Sequence, residues 1–241
     1  MNTITVVYST RKIDQDYLSH VKKFFSHPKN EYLVYENNGE RSLADIYNEG
    51  LEKSSNDVVV FIHDDLEFET KNITPKILKL FNKNPEYGIL GIAGTDKLIS
   101  GQWWRDRESM QGQVGHINGP KKYMSNYSKS FGDTIKDVVV IDGLFMMVHK
   151  KRIKHNFDPQ FEGFHFYDLP ICLLNYIEGI KIGVTTKIKL YHKSIGETDK
   201  KWLKNKLFFE ALYEKHFPLN CQGENPINTE SPSIVEYVPT K

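Results

Sequence analysis

The chain has 241 residues, of which 39% are hydrophobic and 26% charged, a balance that is typical of soluble globular proteins and excludes a disordered chain. The formal net charge is +1, so bulk electrostatics favours neither a nucleic acid nor an anionic membrane, and a polyanionic partner would need a local site. The length allows one large domain, or one domain with an appendage.

The first part of the chain alternates strands with helices. Runs of β-branched and aromatic residues predict strands at 4–8, 32–35 and 58–62. Apolar residues at helical spacing predict helices at 14–26 and 42–53. The strand at 58–62 is apolar throughout, as expected where a parallel strand is covered on both faces. The alternation therefore predicts βαβ units in a layered α/β fold, with function at the carboxyl ends of the strands.

The pattern continues through the second part with one interruption. We predict helices at 75–82, 167–176 and 199–216, and strands at 88–93, 138–141, 144–148, 180–185 and 187–191. Residues 94–127 are irregular and contain Gly and Trp, over a length that indicates a binding loop or small hairpins above a cleft. Residues 217–241 carry repeated prolines and predict an extended tail.

Cysteine usage and apolar runs bear on localisation. Cys172 and Cys221 are too few for a disulfide scaffold, and they lack the paired spacing of a zinc site. No apolar run is long enough to span a bilayer, and the N-terminal residues do not read as a signal peptide. We predict a cytoplasmic protein without an integral membrane segment. Peripheral association with a membrane stays an alternative.

A histidine and two aspartates follow the apolar strand at 58–62 without a spacer. Adjacent carboxylates repel, so His63-Asp64-Asp65 is favourable chiefly where a cation lies against it. Magnesium and manganese are usually held by one or two carboxylates together with substrate phosphates. A solvated turn is the alternative, but the buried strand that leads into this acidic tip favours a cation site.

The residues around this tip resemble a known family. Asn48-Glu49-Gly50 on a predicted helix, followed by Val60-Phe61-Ile62-His63-Asp64-Asp65, resembles the family 2 type glycosyltransferases, in the GT-A branch whose Asp-x-Asp motif is written His-Asp-Asp. The resemblance covers residues 3 to about 215. It implies a GT-A, Rossmann-like fold, with a mixed, mainly parallel sheet flanked by helices, a C-terminal helix and an extended tail.

The resemblance also implies a division of the chain. We expect one GT-A domain at 1–216, with a nucleotide-sugar-binding half at 1–95 and an acceptor-side half at 96–216. The C-terminal tail at 217–241 follows it.

The resemblance implies a divalent metal, manganese or magnesium, that bridges the two phosphates of the donor. By position, Asp65 coordinates this metal, while His63 stands where the family has its first aspartate and favours manganese or zinc. Asp64 would face the donor ribose or sugar, or only support the turn. His192, after a late strand, is the candidate further ligand and Lys193 a diphosphate contact; the alternative for His192 is a structural histidine.

The donor's nucleotide is expected at the end of the first strand. The resemblance places the base against the loop that contains Tyr8, Ser9 and Arg11, for which a capping loop is the alternative. Asn48, from the Asn-x-Gly part of the pattern, is assigned to the donor side as well.

Acceptor chemistry is assigned to the Phe164-His165-Phe166-Tyr167-Asp168 segment. It resembles the family's acidic motif at a helix start, where Asp168 would take the proton from the attacking hydroxyl while unpaired backbone N–H groups keep the carboxylate ionised. A first-turn cap is the alternative role. Glu162 and His165 are the reserve candidates, His165 on the acceptor side.

Two further places are assigned to the acceptor. The flat faces of Trp103 and Trp104 would suit stacking on a sugar ring, and ordinary core packing is their alternative. Asp142-Gly143 gives a strand a tight kink beside the cleft, matching the family's acceptor-side Asp-Gly, or else is a bulge without chemistry.

These assignments predict an inverting, metal-dependent glycosyltransferase. It would move a sugar from a nucleoside-diphosphate sugar to a hydroxyl acceptor, which could be a saccharide, a lipid-linked molecule or another hydroxyl compound. Nucleic acid is not expected, and a homodimer stays open. One alternative is a metal-dependent hydrolase or deacetylase with zinc on His63, an aspartate and His192, although a third ligand at local spacing is missing. The other is a nucleotide-sugar-binding module without turnover, which the departure at His63 suggests.

Overall fold

A computed structural model describes residues 3–130, 132, 134–194 and 198–221. Its strands are β1 (Thr5–Thr10), β2 (Glu31–Glu36), β3 (Val58–Ile62), β4 (Leu66–Phe68), β5 (Tyr87–Gly91), β6 (Ala93–Thr95), β7 (Lys97–Leu98), β8 (Met110–Asn118), β9 (Lys121–Asn126), β10 (Lys136–Val138), β11 (Val140–Ile141), β12 (Phe145–His149), β13 (Lys181–Val184), β14 (Leu190–His192) and β15 (Leu219–Asn220). Its α-helices are α1 (Gln15–Phe25), α2 (Leu43–Lys53), α3 (Ile73–Lys83), α4 (Asp168–Ile177) and α5 (Lys200–Tyr213).

The larger sheet is seven-stranded, in the order β10-β13-β5-β12-β3-β1-β2. β1 pairs in parallel with β2 and β3, and β13 in parallel with β5, whereas β12 runs antiparallel between β3 and β5. The mixed α/β fold predicted from the alternating elements is therefore confirmed. Parallel pairing dominates the β1 half of the sheet, and the insertion of β12 makes the other half mixed.

The first helices begin where local side chains satisfy free backbone N–H groups. The Asp14 side chain accepts from two amides at the start of α1, and the Ser42 hydroxyl oxygen accepts from the Asp45 amide at the start of α2. All of β3 is buried, which agrees with its continuous apolar run. The buried strand and its flanking helices fix the point at which the acidic tip leaves the core.

A second sheet is built largely from the segment expected to be irregular. It runs β11-β6-β8-β14-β4, with β9 paired to β8 as a hairpin. The late strand predicted at 187–191 is shifted toward the C-terminus, so that β14 includes His192. Its antiparallel pairing with β4 sets that position, because Leu190 lies opposite Phe68 and His192 opposite Leu66.

The chain continues past α5 into a short strand. β15 pairs antiparallel with β7, Leu219 opposite Leu98, so the first residues of the predicted tail contact the domain. Residues 222–241, the remainder of that tail, lie outside the described residues. Within the part of the chain that the structure describes, no helix has the length and apolar character needed to cross a membrane.

Candidate active site

The acidic tip forms the turn between β3 and β4. The Tyr17 hydroxyl donates a hydrogen bond of 2.7 Å to the His63 carbonyl, and the His63 N–H donates one of 3.1 Å to the Leu144 carbonyl. The second bond extends the β3–β12 pairing by one residue and places the turn beside Asp142-Gly143. This bond places His63, which was assigned to the metal, next to Asp142-Gly143, which was assigned to the acceptor.

Three of the predicted metal ligands converge at this turn. His192 Nε2 lies 3.2 Å from His63 Nδ1 and 3.1 Å from Asp65 Oδ1. One ligand atom from each of the three residues lies within 4.8 Å of the others. The β4–β14 register produces this arrangement, since it sets His192 opposite Leu66, the residue after Asp65.

The donor set fits a divalent cation. Asp65 Oδ1 is buried and accepts no hydrogen bond from the residues described, and it nonetheless lies against an imidazole nitrogen. His192 Nε2 is also 3.0 Å from the Ser194 hydroxyl, which gives one nitrogen three close polar neighbours. Ligand atoms held at about 2.1 Å from one ion are spaced roughly 3–3.5 Å apart, which is close to the two distances from His192 Nε2.

The electrostatics favour the ligating protonation states of His63 and Asp65, whereas burial would lower the pKa of His192 but its contact with the Asp65 carboxylate raises it. Burial, and then the charge of His192, lowers the pKa of His63 to about 4, so its imidazole is neutral near pH 7. Burial alone would raise the pKa of Asp65, but the charge of the His192 imidazole at 3.1 Å and the hydrogen bond from the Ser194 N–H outweigh it and lower this pKa to about 2. A neutral imidazole and an ionised carboxylate are the forms that bind metals.

Tyr167 supports His63 from the core side, a role that the sequence reasoning missed. Its hydroxyl lies 2.7 Å from His63 Nε2, and its ring packs edge-on against Tyr47 at 5.3 Å. The hydroxyl also lies against Gly143, where a Cβ would overlap it. Metal-ligating histidines usually carry such a partner on the second ring nitrogen. The available signal was an aromatic residue with a polar tip beside the predicted base.

Asp168 begins α4, as predicted, with Pro170 in the first turn. Its Oδ2 accepts from the Gly143 N–H at 2.8 Å and its Oδ1 from the Leu169 N–H at 3.0 Å. Burial, and then the nearby Asp142, raises the pKa of Asp168 to about 7. Phe166, two residues earlier, has a left-handed backbone with φ 62°, a strain of the kind found at functional sites.

These groups line one cleft of about 820 Å³. Its titratable lining includes His63, Asp142, Asp168 and His192. Its aromatic lining comprises Trp103, Trp104, Tyr127, Phe164, Phe166, Tyr167 and Trp202. A site that combines convergent charged groups with apolar walls suits a ligand with a charged part and a sugar-like part.

The two tryptophans of the long segment differ in exposure. Trp103 is only 5% exposed and packs edge-on against the half-buried Trp104, whose other neighbour is Trp202 at 5.8 Å. Trp202 comes from α5, and its place in the cleft was not predicted, because no local pattern places that helix beside the cleft. His165 also lines the cleft, with Nε2 at 3.5 Å from the Asp199 carboxylate.

The predicted donor-side residues lie in varied surroundings. The Tyr8 hydroxyl and Ser9 Oγ are buried at the end of β1, and neither has a hydrogen-bond partner among the residues described. Arg11, Asp64 and Lys193 are exposed.

Asn48 lies outside the cleft lining. Its amide donates to the Phe157 carbonyl at 2.8 Å and accepts from the Phe157 N–H at 2.9 Å, so it holds that backbone segment.

A mixed sheet with a candidate metal-ligand cluster at a strand tip, beside a half-buried carboxylate in an aromatic cleft, is the arrangement of the GT-A class. The chain belongs to the glycosyltransferase-like family, whose profile matches residues 4–215. The resemblance inferred from the motifs is thus confirmed over nearly the range expected. No match was found among curated protein sequences.

Three solved structures of low sequence identity share this fold. GalNAc-T7 with UDP, GalNAc and Mn²⁺ matches with a TM-score of 0.55 and 10% identity, over 87% of this chain and 47% of that one. Mannosyltransferase PcManGT from Pyrobaculum calidifontis, in complex with GDP-Man and Mn²⁺, matches with 0.54 and 10%, over 87% and 64%. S. aureus TarS matches with 0.50 and 11%, over 88% and 39%. The chain therefore spans less than two thirds of each of these proteins, and at such identities they show the fold.

Proposed function

We propose that the protein transfers a sugar from a nucleoside-diphosphate sugar to a hydroxyl acceptor, with a divalent metal and with inversion at the anomeric carbon. The observation that carries the proposal is that one cleft contains both His63 and His192 of the ligand cluster and the half-buried Asp168. Family membership makes a transferase the first reaction to consider. A single displacement requires one base and no protein nucleophile, which is what the cleft offers.

His63, Asp65 and His192 would hold the metal. A divalent cation bound there would neutralise charge on the leaving diphosphate. Two histidine nitrogens and one carboxylate favour manganese over magnesium, which prefers oxygen ligands. GalNAc-T7 and PcManGT were both solved with Mn²⁺, and manganese is accordingly the metal proposed here.

The donor nucleotide would lie at the end of β1. The unpartnered Tyr8 hydroxyl and Ser9 Oγ offer hydrogen-bonding groups there, which a bound base or ribose could satisfy. Exposed Arg11 and Lys193 carry positive charge that would attract a diphosphate. Asp64 stays a candidate for the ribose or the sugar. Asn48 would affect donor binding only indirectly, through the backbone segment at Phe157 to which it is hydrogen-bonded.

Asp168 would be the base. Its position at the start of α4 aims the carboxylate at Gly143 and the cleft, and a pKa of about 7 lets it accept a proton near neutral pH. Asp142 and Gly143 would shape the acceptor side next to it. His165 is the reserve, since its ring faces the same cleft.

The acceptor would bind against Trp104 and Trp202. Their rings lie 5.8 Å apart and, with the 45% exposed Phe164, provide flat apolar surface near Asp168. Such surface suits the apolar face of a sugar ring, in a saccharide or a lipid-linked glycan. Localisation in the cytoplasm and formation of a homodimer stay predictions.

A thermal-shift screen of nucleoside diphosphates with and without Mn²⁺ tests the proposal. A ligand that binds only the folded protein raises the unfolding midpoint. We expect one nucleotide to stabilise the protein only when Mn²⁺ is present, and Asp65→Ala to abolish this effect. Glu86→Ala, at an exposed acid with no cleft contact, is the matched control and should respond like the wild type. Indifference to every nucleotide at saturating Mn²⁺ would refute the transferase.

A metal-dependent hydrolase is the second candidate. The objection that a third ligand is missing does not hold, because β4–β14 pairing brings His63, Asp65 and His192 together. Such a set is also found around catalytic zinc. The hydrolase requires tight Zn²⁺ binding and activity without any nucleotide, whereas the transferase releases a nucleoside diphosphate that a coupled assay detects.

A further inference from the structure

The solvent side of α5 carries large apolar side chains. Leu203, Leu207, Phe208 and Leu212 are 38%, 57%, 39% and 40% exposed. The opposite side of the helix is already packed, since Asn205, Phe209 and Tyr213 are buried. A surface helix normally turns polar residues to water once its apolar stripe is covered. α5 therefore has an apolar face beyond the one that the domain uses.

The same side of the helix is basic. At 100° per residue, the exposed positions Lys200, Lys201, Leu203, Lys204, Leu207, Phe208, Ala211 and Leu212 fall on one half of the helix, which we call the α5 outer face. It contains three lysines and no acid. The acid of the helix, Glu210, lies on the inner side and pairs with Lys206 at 2.7 Å. Glu162 lies 3.7 Å from Lys204 and offsets part of that lysine's charge, although the pair is largely exposed and weak.

The positive charge of the α5 outer face distinguishes between the partners that an apolar, basic surface could bind. A second copy of this chain in a two-fold dimer would bring the face against itself, and its lysines against lysines. A surface of anionic phospholipids complements those lysines and accepts leucine and phenylalanine side chains at the acyl boundary. The net charge of the whole chain, +1, does not reveal this local positive charge, because the charge is confined to one helix.

α5 borders the cleft through the side opposite the α5 outer face. Trp202, on the other side of α5, lines the cleft, and Asn205 donates to the carbonyls of Glu162 and His165 at 3.0 and 3.2 Å. Those bonds hold the segment that contains the exposed, cleft-lining Phe164 against the helix. A surface that contacts the α5 outer face would therefore be separated from Trp202 and the cleft by the width of this helix.

We propose that the α5 outer face docks the protein on an anionic phospholipid membrane, through its leucines, Phe208 and the lysines between them. The docking itself does not require sugar transfer. Its consequence, that the acceptor is presented at the membrane, rests on the proposed function.

Co-sedimentation of the full chain with vesicles tests the docking. We expect retention on phosphatidylcholine vesicles that contain phosphatidylserine, little on phosphatidylcholine alone, and release as salt rises. Leu207→Gln with Phe208→Gln should lower the partition coefficient about tenfold or more, because two apolar side chains no longer enter the bilayer. Lys200→Glu, Lys201→Glu and Lys204→Glu together should abolish the preference for anionic lipid.

Matched controls lie on other helices. Ile177→Gln alters a 39% exposed apolar residue on α4, and Lys79→Glu with Lys83→Glu alters exposed lysines on α3. Both should bind vesicles like the wild type. Absence of wild-type retention, or equal losses in controls and α5 variants, would overturn the proposal. So would a wild-type dimer in light scattering that Leu207→Gln dissociates, if vesicles are not bound.

The vesicle assay uses neither nucleotide nor metal. Failure of the transferase proposal would appear in the thermal-shift screen and leave vesicle binding intact. Failure of the docking proposal would leave the Mn²⁺-dependent nucleotide response intact, in the wild type and in the α5 variants alike.

Discussion

Nδ1 of His63 lies 3.2 Å from Nε2 of His192, although 129 residues separate the two histidines in the chain. Two neutral imidazoles can share one proton at that distance, but His192 Nε2 is also 3.1 Å from Asp65 Oδ1. A divalent cation between these atoms would stabilise the arrangement, and so would a proton on His192, whose pKa the Asp65 carboxylate raises. The pairing of β4 with β14, which delivers His192, is therefore part of the site as well as of the fold.

Loss of one ligand should remove metal binding. We expect His192→Ala to weaken Mn²⁺ binding by more than 100-fold, beyond the roughly 10–100-fold that loss of an outer partner costs. Isothermal titration with Mn²⁺ measures this directly. His155→Ala, which alters a histidine outside the cluster, should bind Mn²⁺ like the wild type. Equal affinities in wild type and His192→Ala would place the metal elsewhere.

Removal of the Tyr167 hydroxyl should loosen His63 without emptying the core. In Tyr167→Phe the ring still packs on Tyr47, but His63 Nε2 loses its partner at 2.7 Å. We expect Mn²⁺ affinity to fall about 10-fold, and turnover to recover at saturating Mn²⁺. A variant that folds normally and binds Mn²⁺ with unchanged affinity would show that the hydroxyl does not orient the ligand.

Asp168→Asn should separate chemistry from binding. The amide keeps an oxygen for the Gly143 or Leu169 N–H but cannot accept the acceptor's proton. We expect turnover to fall by about 10²–10⁴-fold, measured as nucleoside diphosphate release. The Mn²⁺-dependent nucleotide shift should be retained. Loss of both properties together would indicate that Asp168 supports the fold or the donor.

The raised pKa of Asp168 has a signature in pH dependence. The pKa is about 7 in the folded protein against 3.8 for a free carboxyl, so between these values the folded state binds more protons than the unfolded state. Stability from this group is therefore lost as pH rises from about 4 to about 7 and then levels off. Asp168→Asn should gain stability relative to wild type over the same window in chemical denaturation, and wild-type turnover should rise with a midpoint near pH 7.

The acidic tip could be located from the sequence because its position depends only on the neighbouring residues in the chain. Five apolar residues in β3 predict a buried strand, so the polar residues that follow must leave the core at its end. The start of α4 at Asp168 was accessible for a similar reason, since Pro170 is tolerated in a first turn. Motifs on such elements could be assigned before any contact was known.

The contacts between these motifs could not be predicted in the same way. The approach of His192 to Asp65 depends on a register between strands far apart in the chain, which no local pattern encodes. Trp202 had the spacing of a core residue, and only the position of α5 beside the cleft shows its second role. Tyr167 was passed over because a buried tyrosine is usually core, and its hydroxyl partner comes from another element.

Gly143 lies between Asp168, the proposed base, and Tyr167, which contacts the candidate metal ligand His63, and its substitution should disturb both. A Cβ at this position would overlap the Tyr167 hydroxyl, and the Gly143 N–H is a donor to Asp168. We expect Gly143→Ala to lower the free energy of unfolding by about 1–3 kcal/mol, as overpacking does, and also to weaken Mn²⁺ binding.

Gly119→Ala separates these two effects. Gly119 has φ +56° and open space around it, so alanine there costs about 1–2 kcal/mol of backbone strain without touching the cleft. Thermal unfolding should therefore shift in both variants, whereas Mn²⁺ titration should distinguish them. A Gly143→Ala protein that loses stability but keeps wild-type Mn²⁺ affinity would show that Tyr167 can move without displacing His63. The link between the acceptor-side kink and the metal site would then be packing alone.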